Sequence, residues 1–264
     1  MNNEQFSRHI RLPHFGVGGQ NKISRAKILI VGAGGLGSPA ASYLAVAGVG
    51  AIGIVDSDTV EISNLPRQIL HSPENIGEMK TVSAGKRLKQ LNPDIKLNLF
   101  PERLKADNVL RIIKNYDAVV DGSDNFATKF LLNDACVISQ TPLIHAGVLR
   151  YAGQVMTIIP HQSACYRCVF PEPPPPDAVQ TCREAGILNT VAGIIGLIQA
   201  TEVIKLIIGT GTLLTDRLLI FDALEMNFRS VGIKKNNNCP VCSKKAKIKT
   251  IKDIKSASME CRSL

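Results

Sequence analysis

The sequence predicts an α/β protein with a doubly wound, mostly parallel sheet that is extended by antiparallel strands. Three observations support this fold class. Apolar runs of strand length alternate with helical patterns along the first 140 residues, an alternation typical of parallel sheets. The first apolar run passes directly into a glycine-rich turn, and extended segments return late in the chain, near residues 218–231. We therefore expect a mixed sheet.

The glycine-rich turn lies in the stretch KILIVGAGGLGSPAASYLA, at residues 27–45. A buried strand is predicted at 28–31, followed by the turn at 32–37 and by a helix. Such a turn lets a phosphate or a ribose approach the backbone at the N-terminus of a helix, where free N–H groups favour negative charge. The next apolar run ends in Asp56, about 20 residues later, where Rossmann-like proteins place the acid that binds ribose hydroxyls. The sequence therefore predicts a nucleotide-binding site.

The remaining elements follow from periodicity and from turn residues. Helices are expected over residues 4–25, 80–91, 106–116, 126–140 and 187–208, and strands over 51–55, 95–100, 118–121 and 218–231. Two short strands, broken at Gly153, are expected within 143–159. The segment 187–208 is about long enough to cross a membrane, but Asn189, Gln199, Glu202 and Lys205 interrupt it. We therefore expect a core helix there.

Composition indicates one large domain with a basic end. The chain has 264 residues, 45% of them hydrophobic, and a formal net charge of +9. We expect one domain over residues 1–242 and a basic tail over 243–264. The tail lacks aromatic residues, so we expect a solvated end, with an acidic protein or a nucleic-acid backbone as the alternative partner. The N-terminal sequence MNNEQFSRHIRL has no apolar run, which favours a cytoplasmic protein without a membrane association.

Two CxxC pairs predict a metal site. Cys165 and Cys168 form one pair, and Cys239 and Cys242 form the other. Two such turns supply the four thiolates of a tetrahedral Zn²⁺ site, and a closed site of this kind has a structural role because no position is left for water. Unpaired buried cysteines or a redox CxxC are the alternatives.

Charged and polar residues follow two of the predicted strands. Asn64, Arg67 and Lys80 come after the strand that ends at Asp56, and Asp124 comes after the strand at 118–121. The carboxyl ends of strands in a doubly wound sheet share one crevice, so we expect these side chains to converge near the glycine turn. Arg67 and Lys80 would then meet phosphates, and Asp124 could hold Mg²⁺. Solvated loop charges are the alternative.

These motifs together resemble the MoeB/ThiF/HesA family, bacterial relatives of ubiquitin-activating enzymes. The resemblance runs from about residue 6 to residue 242, and it is carried by FSRHIRL, ILIVGAGGLGSPAASYLA, VDSDTVEISNLPRQIL, DGSDNFATKFLLND, CYRC, TCREAG, GIIGLIQATEVIKL and CPVC. The resemblance implies an adenylyltransferase. In this family a small ubiquitin-like sulfur carrier inserts its Gly-Gly tail into the crevice, and its carboxylate attacks the α-phosphorus of MgATP.

The resemblance also implies roles for individual residues. Gly32, Gly34 and Gly35 would line the ATP, and Asp56 would bind its ribose. Asn64, Arg67 and Lys80 would contact the phosphates, and Asp124 would support Mg²⁺. These positions are read from the family motifs in this sequence.

Two further residues carry expectations about partners and covalent chemistry. Arg8 matches an N-terminal arginine that reaches the neighbouring subunit's site, which implies a homodimer. Cys182 aligns with a cysteine that some relatives link covalently to the carrier, and a non-catalytic loop cysteine is the alternative. We expect a mobile loop at 173–176 to bring Cys182 inward. A sulfur donor protein is a further expected partner, since the chain has no room for a sulfurtransferase extension.

The pathway is predicted less directly. The segments CVFPEPPPP and TCREAG resemble the molybdopterin-synthase adenylyltransferase branch more than the thiamine branch, which stays the alternative. Two more distant alternatives are an NAD-dependent oxidoreductase, with His145 as its candidate proton-transfer residue, and a catalytically silent scaffold. His145 is expected to pack at the end of its strand instead.

Overall fold

The structure is a computed structural model that describes residues 4–175 and 182–253, without the side chains of Cys182 and Arg183. Within these ranges the chain forms one eight-stranded sheet in the order β3-β2-β1-β4-β5-β6-β7-β8. The strands are β1 (Lys27–Val31), β2 (Ala51–Val55), β3 (Lys96–Phe100), β4 (Ala118–Asp121), β5 (Leu143–Leu149), β6 (Ala152–Ile158), β7 (Arg217–Asp222) and β8 (Asn227–Gly232).

The helices connect and cover these strands. They are α1 (Ser7–Ile10), α2 (Gly16–Arg25), α3 (Gly37–Val46), α4 (Lys80–Leu91), α5 (Val109–Ile113), α6 (Phe126–Ser139), α7 (Tyr166–Val169), α8 (Cys182–Ala185) and α9 (Asn189–Ile208). Short 3₁₀ turns lie at Ile62–Asn64 and Pro73–Asn75.

The sheet is parallel in its first half and antiparallel in its second. Strands β1 to β5 pair in parallel, whereas β5 to β8 pair as antiparallel neighbours. This arrangement confirms the predicted mixed sheet. The chain moves outward from β1 to β2 and β3, and then returns to place β4 on the other side of β1. The strand order therefore reverses between β1 and β4, where doubly wound sheets form their ligand crevice.

Apolar residues pack against both faces of the central strands of the sheet. One core lies where α3, α4 and α9 cover the sheet, and the other lies under α5, α6 and the cysteine pairs. Helix α9 is long and apolar enough to cross a membrane by length and composition, and half of its most apolar stretch is buried. A methyl group on Gly196 of α9 would lie 2.5 Å from the Leu36 carbonyl oxygen. This close packing against the start of α3 confirms the predicted core helix.

Three element predictions need correction. Residues 4–25 form two helices, α1 and α2, because the chain turns at 11–15 and His14 has a positive φ of 64°. The break within 143–159 lies at Arg150, also with positive φ, while Gly153 is inside β6. Helix α5 is shorter than the predicted 106–116: it begins after Asn108, whose side chain accepts from the Lys105 N–H in the preceding turn, and it ends at Ile113.

The segment after the second CxxC pair packs onto the body of the protein. Ile248 and Ile251 contact the second core, and the carboxylate of Asp253 accepts a hydrogen bond from the N–H of Ala106. The remainder of the predicted basic tail, 254–264, lies outside the described residues. The boundary at residue 242 stays a prediction.

Candidate active site

The glycine turn after β1 has a backbone path that only glycine allows at two positions. Gly32 has φ +93°, and a methyl group there would lie 2.7 Å from the carbonyl oxygen of Gly122. A methyl group on Gly37 would lie 1.8 Å from the Gly32 carbonyl oxygen. An added Cβ at either position would overlap backbone atoms, so only glycine fits there. The absence of a side chain on Gly32 lets the turn lie directly against the end of β4. The predicted strand, glycine turn and helix are therefore confirmed as structure.

Asp56 lies beside this turn, as predicted. Its carboxylate accepts hydrogen bonds from the N–H groups of Ala33, at 2.8 Å, and Asp58, at 2.9 Å. Burial raises the pKa of Asp56, although Lys80 and both N–H donors act in the opposite direction. The carboxylate thus fixes the start of the turn through the Ala33 N–H.

Lys80 is held by a neighbour that sequence reasoning did not assign. Its Nζ lies 3.0 Å from Oδ2 of Asp58, and its backbone N–H donates to the Asp58 carbonyl. The Lys80 side chain is only 8% exposed, whereas that of Asp58 is 60% exposed. Lys80 also lies close enough to Asp56 to lower the pKa of that carboxyl. A buried cation therefore lies next to the carboxylate that orients the glycine turn.

The loop after β2 brings two predicted residues and one unassigned residue to the turn. The stem carbons of Arg67 lie within 3.6 Å of a methyl position on Gly35, and its Nη1 donates to the Ser63 carbonyl. Gln68, which sequence reasoning missed, places Nε2 3.7 Å from a methyl position on Gly34. Arg67 and Gln68 therefore cover the glycine turn.

Asn64 and the start of α9 fix this loop. Asn64 is buried, and its Oδ1 accepts from the N–H of Glu61, which closes a capping box on the 3₁₀ turn. The Asn189 side chain donates to the Pro66 carbonyl, and the Ala192 Cβ lies 3.2 Å from the methyl position on Gly35. Asn64 therefore has a structural role in the loop, and contact with phosphate stays a prediction.

Asp124 follows β4 at the same edge of the sheet as the glycine turn. It is exposed, and within the described chain its carboxylate makes no hydrogen bond or ion pair. The Gly122 N–H donates to the Val31 carbonyl, which sets the two strand ends side by side. Asp124 is therefore available to a cation at the crevice.

A buried polar network, which sequence reasoning missed, supports the loop that carries Asp124. The carboxylate of Asp121 accepts from the Ser123 N–H and hydroxyl, from Lys129 Nζ at 3.2 Å and from His145 Nδ1 at 2.8 Å. Burial alone would raise the pKa of Asp121. Lys129, His145 and Ser123 outweigh burial and hold that pKa well below its usual range. The network therefore keeps a buried carboxylate charged.

His145 belongs to this network and not to the crevice surface. It is fully buried in the middle of β5, not at the strand end, and its ring centroid lies 4.3 Å from that of Tyr166. Burial, together with the nearby charge of Lys129, lowers the pKa of His145 against the opposing effect of Asp121. A neutral, enclosed imidazole bound to Asp121 does not suit the proton transfer that an oxidoreductase would require.

His71 is a second buried histidine, and it lies at the glycine turn. Its Nε2 lies 3.0 Å from the Ala33 carbonyl oxygen and its Nδ1 lies 2.8 Å from the Ser83 hydroxyl. Burial lowers the pKa of His71, and Lys80 lowers it further, against the opposing effect of the Ala33 bond. The motif RQILH contains His71, but it connects to Ala33 across 38 positions, so no local pattern indicated the contact.

The structure does not bring two predicted residues into this crevice. Arg8 is exposed in a hollow beside Tyr43 and Val46, at the end of α3 opposite the glycine turn. Cys182 begins α8, and its side chain lies outside the described residues, as does part of the predicted mobile loop at 173–176. The expected roles of Arg8 and Cys182 stay predictions.

The four cysteines of the two CxxC pairs come together in one cluster. Their Sγ atoms all lie within 4.8 Å of one another, with Cys165 to Cys239 at 3.5 Å and Cys168 to Cys242 at 3.4 Å. Four thiolates about 2.3 Å from a tetrahedral Zn²⁺ would be about 3.8 Å apart, so the donor set fits that ion. The predicted cluster is confirmed, and its occupant belongs to the proposal below.

The fold and the crevice define a nucleotide-binding α/β protein built around a glycine turn. The chain belongs to the ThiF family, whose model matches residues 6–241. It is similar to the sulfur carrier protein adenylyltransferase of Thermus thermophilus, with 44% identity across 90% of each chain. The adenylyltransferase and sulfurtransferase MOCS3 of Culex quinquefasciatus is 47% identical across 92% of this chain. These relatives confirm the predicted family and the predicted enzyme class, an adenylyltransferase.

The matches differ in how much of each relative they cover. The chain spans 56% of the Culex MOCS3 and 59% of the Xenopus laevis MOCS3. Among solved structures, E. coli MccB with ATP has a TM-score of 0.81 at 24% identity, covering 91% of this chain and 75% of that one. PaaA has a TM-score of 0.74 at 20% identity, covering 89% of this chain and 74% of that one. Both structures share the fold.

Proposed function

We propose that this protein uses MgATP to adenylate the C-terminal Gly-Gly carboxylate of a small ubiquitin-like sulfur carrier. One observation carries the proposal: the glycine turn, Asp56, Lys80 and the exposed carboxylate of Asp124 lie at the crevice between β1 and β4. The Thermus relative, a sulfur carrier protein adenylyltransferase, supports the same substrate class.

The residues suit a displacement at the α-phosphorus. A carboxylate oxygen of the carrier forms the new P–O bond, the bond between the α-phosphorus and the bridging oxygen breaks, and pyrophosphate leaves with the electron pair. Such a step needs alignment and neutralised charge more than a protein nucleophile. Asp56 would bind the ribose, Arg67 and Lys80 would contact phosphates, and Asp124 would hold Mg²⁺, which would neutralise phosphate charge when bound.

The zinc ion and the subunit arrangement are part of the proposal. Cys165, Cys168, Cys239 and Cys242 would hold a structural Zn²⁺ that ties α7 to the C-terminal part of the chain. The protein would act as a homodimer in which Arg8 reaches the other subunit's phosphates. The exposed Tyr43, 56% accessible, and the neighbouring Val46 supply apolar area beside Arg8 for such a contact.

The proposed setting is cytoplasmic sulfur transfer for molybdopterin formation, with a separate sulfur donor protein. The segments around the proline run and TCREAG favour this pathway over thiamine formation. A pull-down that identifies the carrier, and with it the pathway that the carrier serves, would distinguish the two.

Pyrophosphate exchange into ATP, dependent on the purified carrier, tests the proposal. Arg67→Ala and Asp124→Ala should each lower exchange at least tenfold without unfolding the protein, because a charge-assisted contact contributes about 1.5–3 kcal/mol. Arg87→Ala and Asp94→Ala change exposed residues of the same types away from the turn, and they should exchange at the wild-type rate. Wild-type exchange in both site variants would refute the site.

A further inference from the structure

His71 joins the glycine turn to helix α4 through its two ring nitrogens. Its side chain is buried, and both ring nitrogens have partners. A carbonyl oxygen only accepts, so Nε2 carries the proton and donates to Ala33. Nδ1 therefore accepts from the hydroxyl of Ser83. The hydrogen bonds fix one neutral tautomer.

The Ala33 end of this bridge belongs to the glycine turn. The Ala33 N–H donates to Asp56, and its carbonyl accepts from His71 at 3.0 Å and from Ser38 at 3.2 Å. Both polar backbone groups of Ala33 are thus bound by side chains. A change at His71 removes the shorter of the two bonds to that carbonyl.

The Ser83 end of the bridge belongs to α4, which begins at Lys80. Ser83 is buried and lies about one helical turn after Lys80, so its bond to His71 anchors the part of the helix that carries Lys80. Without His71, the glycine turn and this helix would be linked in this region by the contacts from Asp56 to Asp58 and from Asp58 to Lys80. Asp58 is solvent-exposed, so that link is the weaker one.

We propose that His71 is a positioning residue that sets the spacing between the glycine turn and Lys80, so that both bind the nucleotide phosphates in one geometry. The inference rests on the proposed function for the identity of the nucleotide, ATP. His71 acts through Ala33 and Ser83, and we assign it no contact with the reacting atoms.

Two substitutions each break one side of the bridge. His71→Asn retains a polar atom near the position of Nδ1, but the shorter side chain cannot reach the Ala33 carbonyl. Ser83→Ala removes the hydroxyl at the other end. Each variant should weaken MgATP binding about five- to tenfold, the loss expected for one neutral hydrogen bond. In the double variant the second change should add little, because the bridge is already broken.

Asn92→Ala is the matched control. Asn92 is buried, and its side chain donates to the Ala45 carbonyl, so it links the far ends of α4 and α3 by a similar bond. Its loss should lower the melting temperature about as much as His71→Asn does, but leave MgATP affinity within twofold of wild type. A merely structural role for His71 would give both variants the same behaviour.

Isothermal titration with MgATP alone measures the affinity of each variant, and carrier-dependent exchange then separates KM for ATP from kcat. His71→Asn and Ser83→Ala should raise KM for ATP while kcat changes less. Unchanged MgATP affinity in both variants, additive losses in the double variant, or an equal loss in Asn92→Ala would overturn the inference. A wild-type protein that binds MgATP but shows no exchange would refute the proposed function alone, and one that does not bind MgATP would refute both.

Discussion

The Nζ of Lys80 lies 3.0 Å from a carboxylate oxygen of Asp58, and the lysine is the buried partner of the pair. A buried ammonium needs a compensating charge. Here the solvent-exposed carboxylate of Asp58 supplies it. When phosphates occupy the crevice, they can supply further negative charge to Lys80. The Asp58 contact therefore holds the lysine in place before ATP arrives.

We predict that Asp58→Asn lowers carrier-dependent pyrophosphate exchange about three- to tenfold, mainly through a higher KM for ATP. The change removes the charge that orients Lys80, while an exposed partner contributes little to stability, about 1 kcal/mol or less. Kinetics together with a thermal melt measure both effects. Asp117→Asn is the matched control, since Asp117 is exposed and its carboxylate accepts from the Lys27 N–H at the start of β1, at the opposite edge of the sheet; it should leave KM unchanged. Equal kinetic effects of the two variants would contradict the prediction.

We also predict one Zn²⁺ per chain, released when a ligand is removed. Cys239→Ser should lower both the zinc content and the melting temperature, since binding energy at a closed site contributes to folding. Cys136→Ala is the control, because Cys136 is buried outside the cluster. It should lose some stability through its small cavity and keep its zinc. Elemental analysis that finds no zinc in freshly purified wild-type protein would refute the assignment.

The sequence predicted those parts of the site that depend on a short, local motif. The glycine turn and Asp56 follow from local backbone needs, and the two CxxC pairs, a pattern typical of four-thiolate sites, meet across 74 positions. The bonds made by His71 and Lys129 were not predictable in this way. They depend on how the loop after β2 and helix α6 pack in three dimensions, and isolated polar residues at those positions are also typical of a solvated surface.

The same limit explains the errors in the fold. Residues 4–25 have a polar helical pattern throughout, yet the helix breaks where His14 adopts positive φ, a conformation that residue type alone does not predict. Likewise, Gly153 suggested a break, but a methyl group there would lie 2.4 Å from Ile195. That glycine is required for close packing of β6 on α9 and not for a turn.

A homodimer with composite active sites is our third prediction. Arg8 lies away from the glycine turn of its own chain, so its family role requires a second copy. Inactive Arg8→Ala and Asp124→Ala chains, mixed in equal amounts and allowed to exchange subunits, should recover about one quarter of wild-type exchange. Half of the dimers are then mixed, and each mixed dimer has one intact site.

Native mass spectrometry verifies that mixed dimers form, and each variant alone serves as the baseline. Mixed dimers that recover no exchange would contradict the composite site. A fully active monomer at the assay concentration would contradict the dimer as well.

Our last prediction separates adenylation from the step that follows it. The carrier's own carboxylate attacks the α-phosphorus, so a thiol has no part in that step. Afterwards, a thiolate at Cys182 can attack the acyl-adenylate carbon, which forms a thioester and releases AMP. Cys182→Ala should therefore keep pyrophosphate exchange within about twofold of wild type, and any defect should appear only in thiocarboxylate formation with a sulfur donor present. If Cys182→Ala loses exchange while its melting temperature is unchanged, the residue belongs to the ATP or carrier site, and this division of steps is wrong.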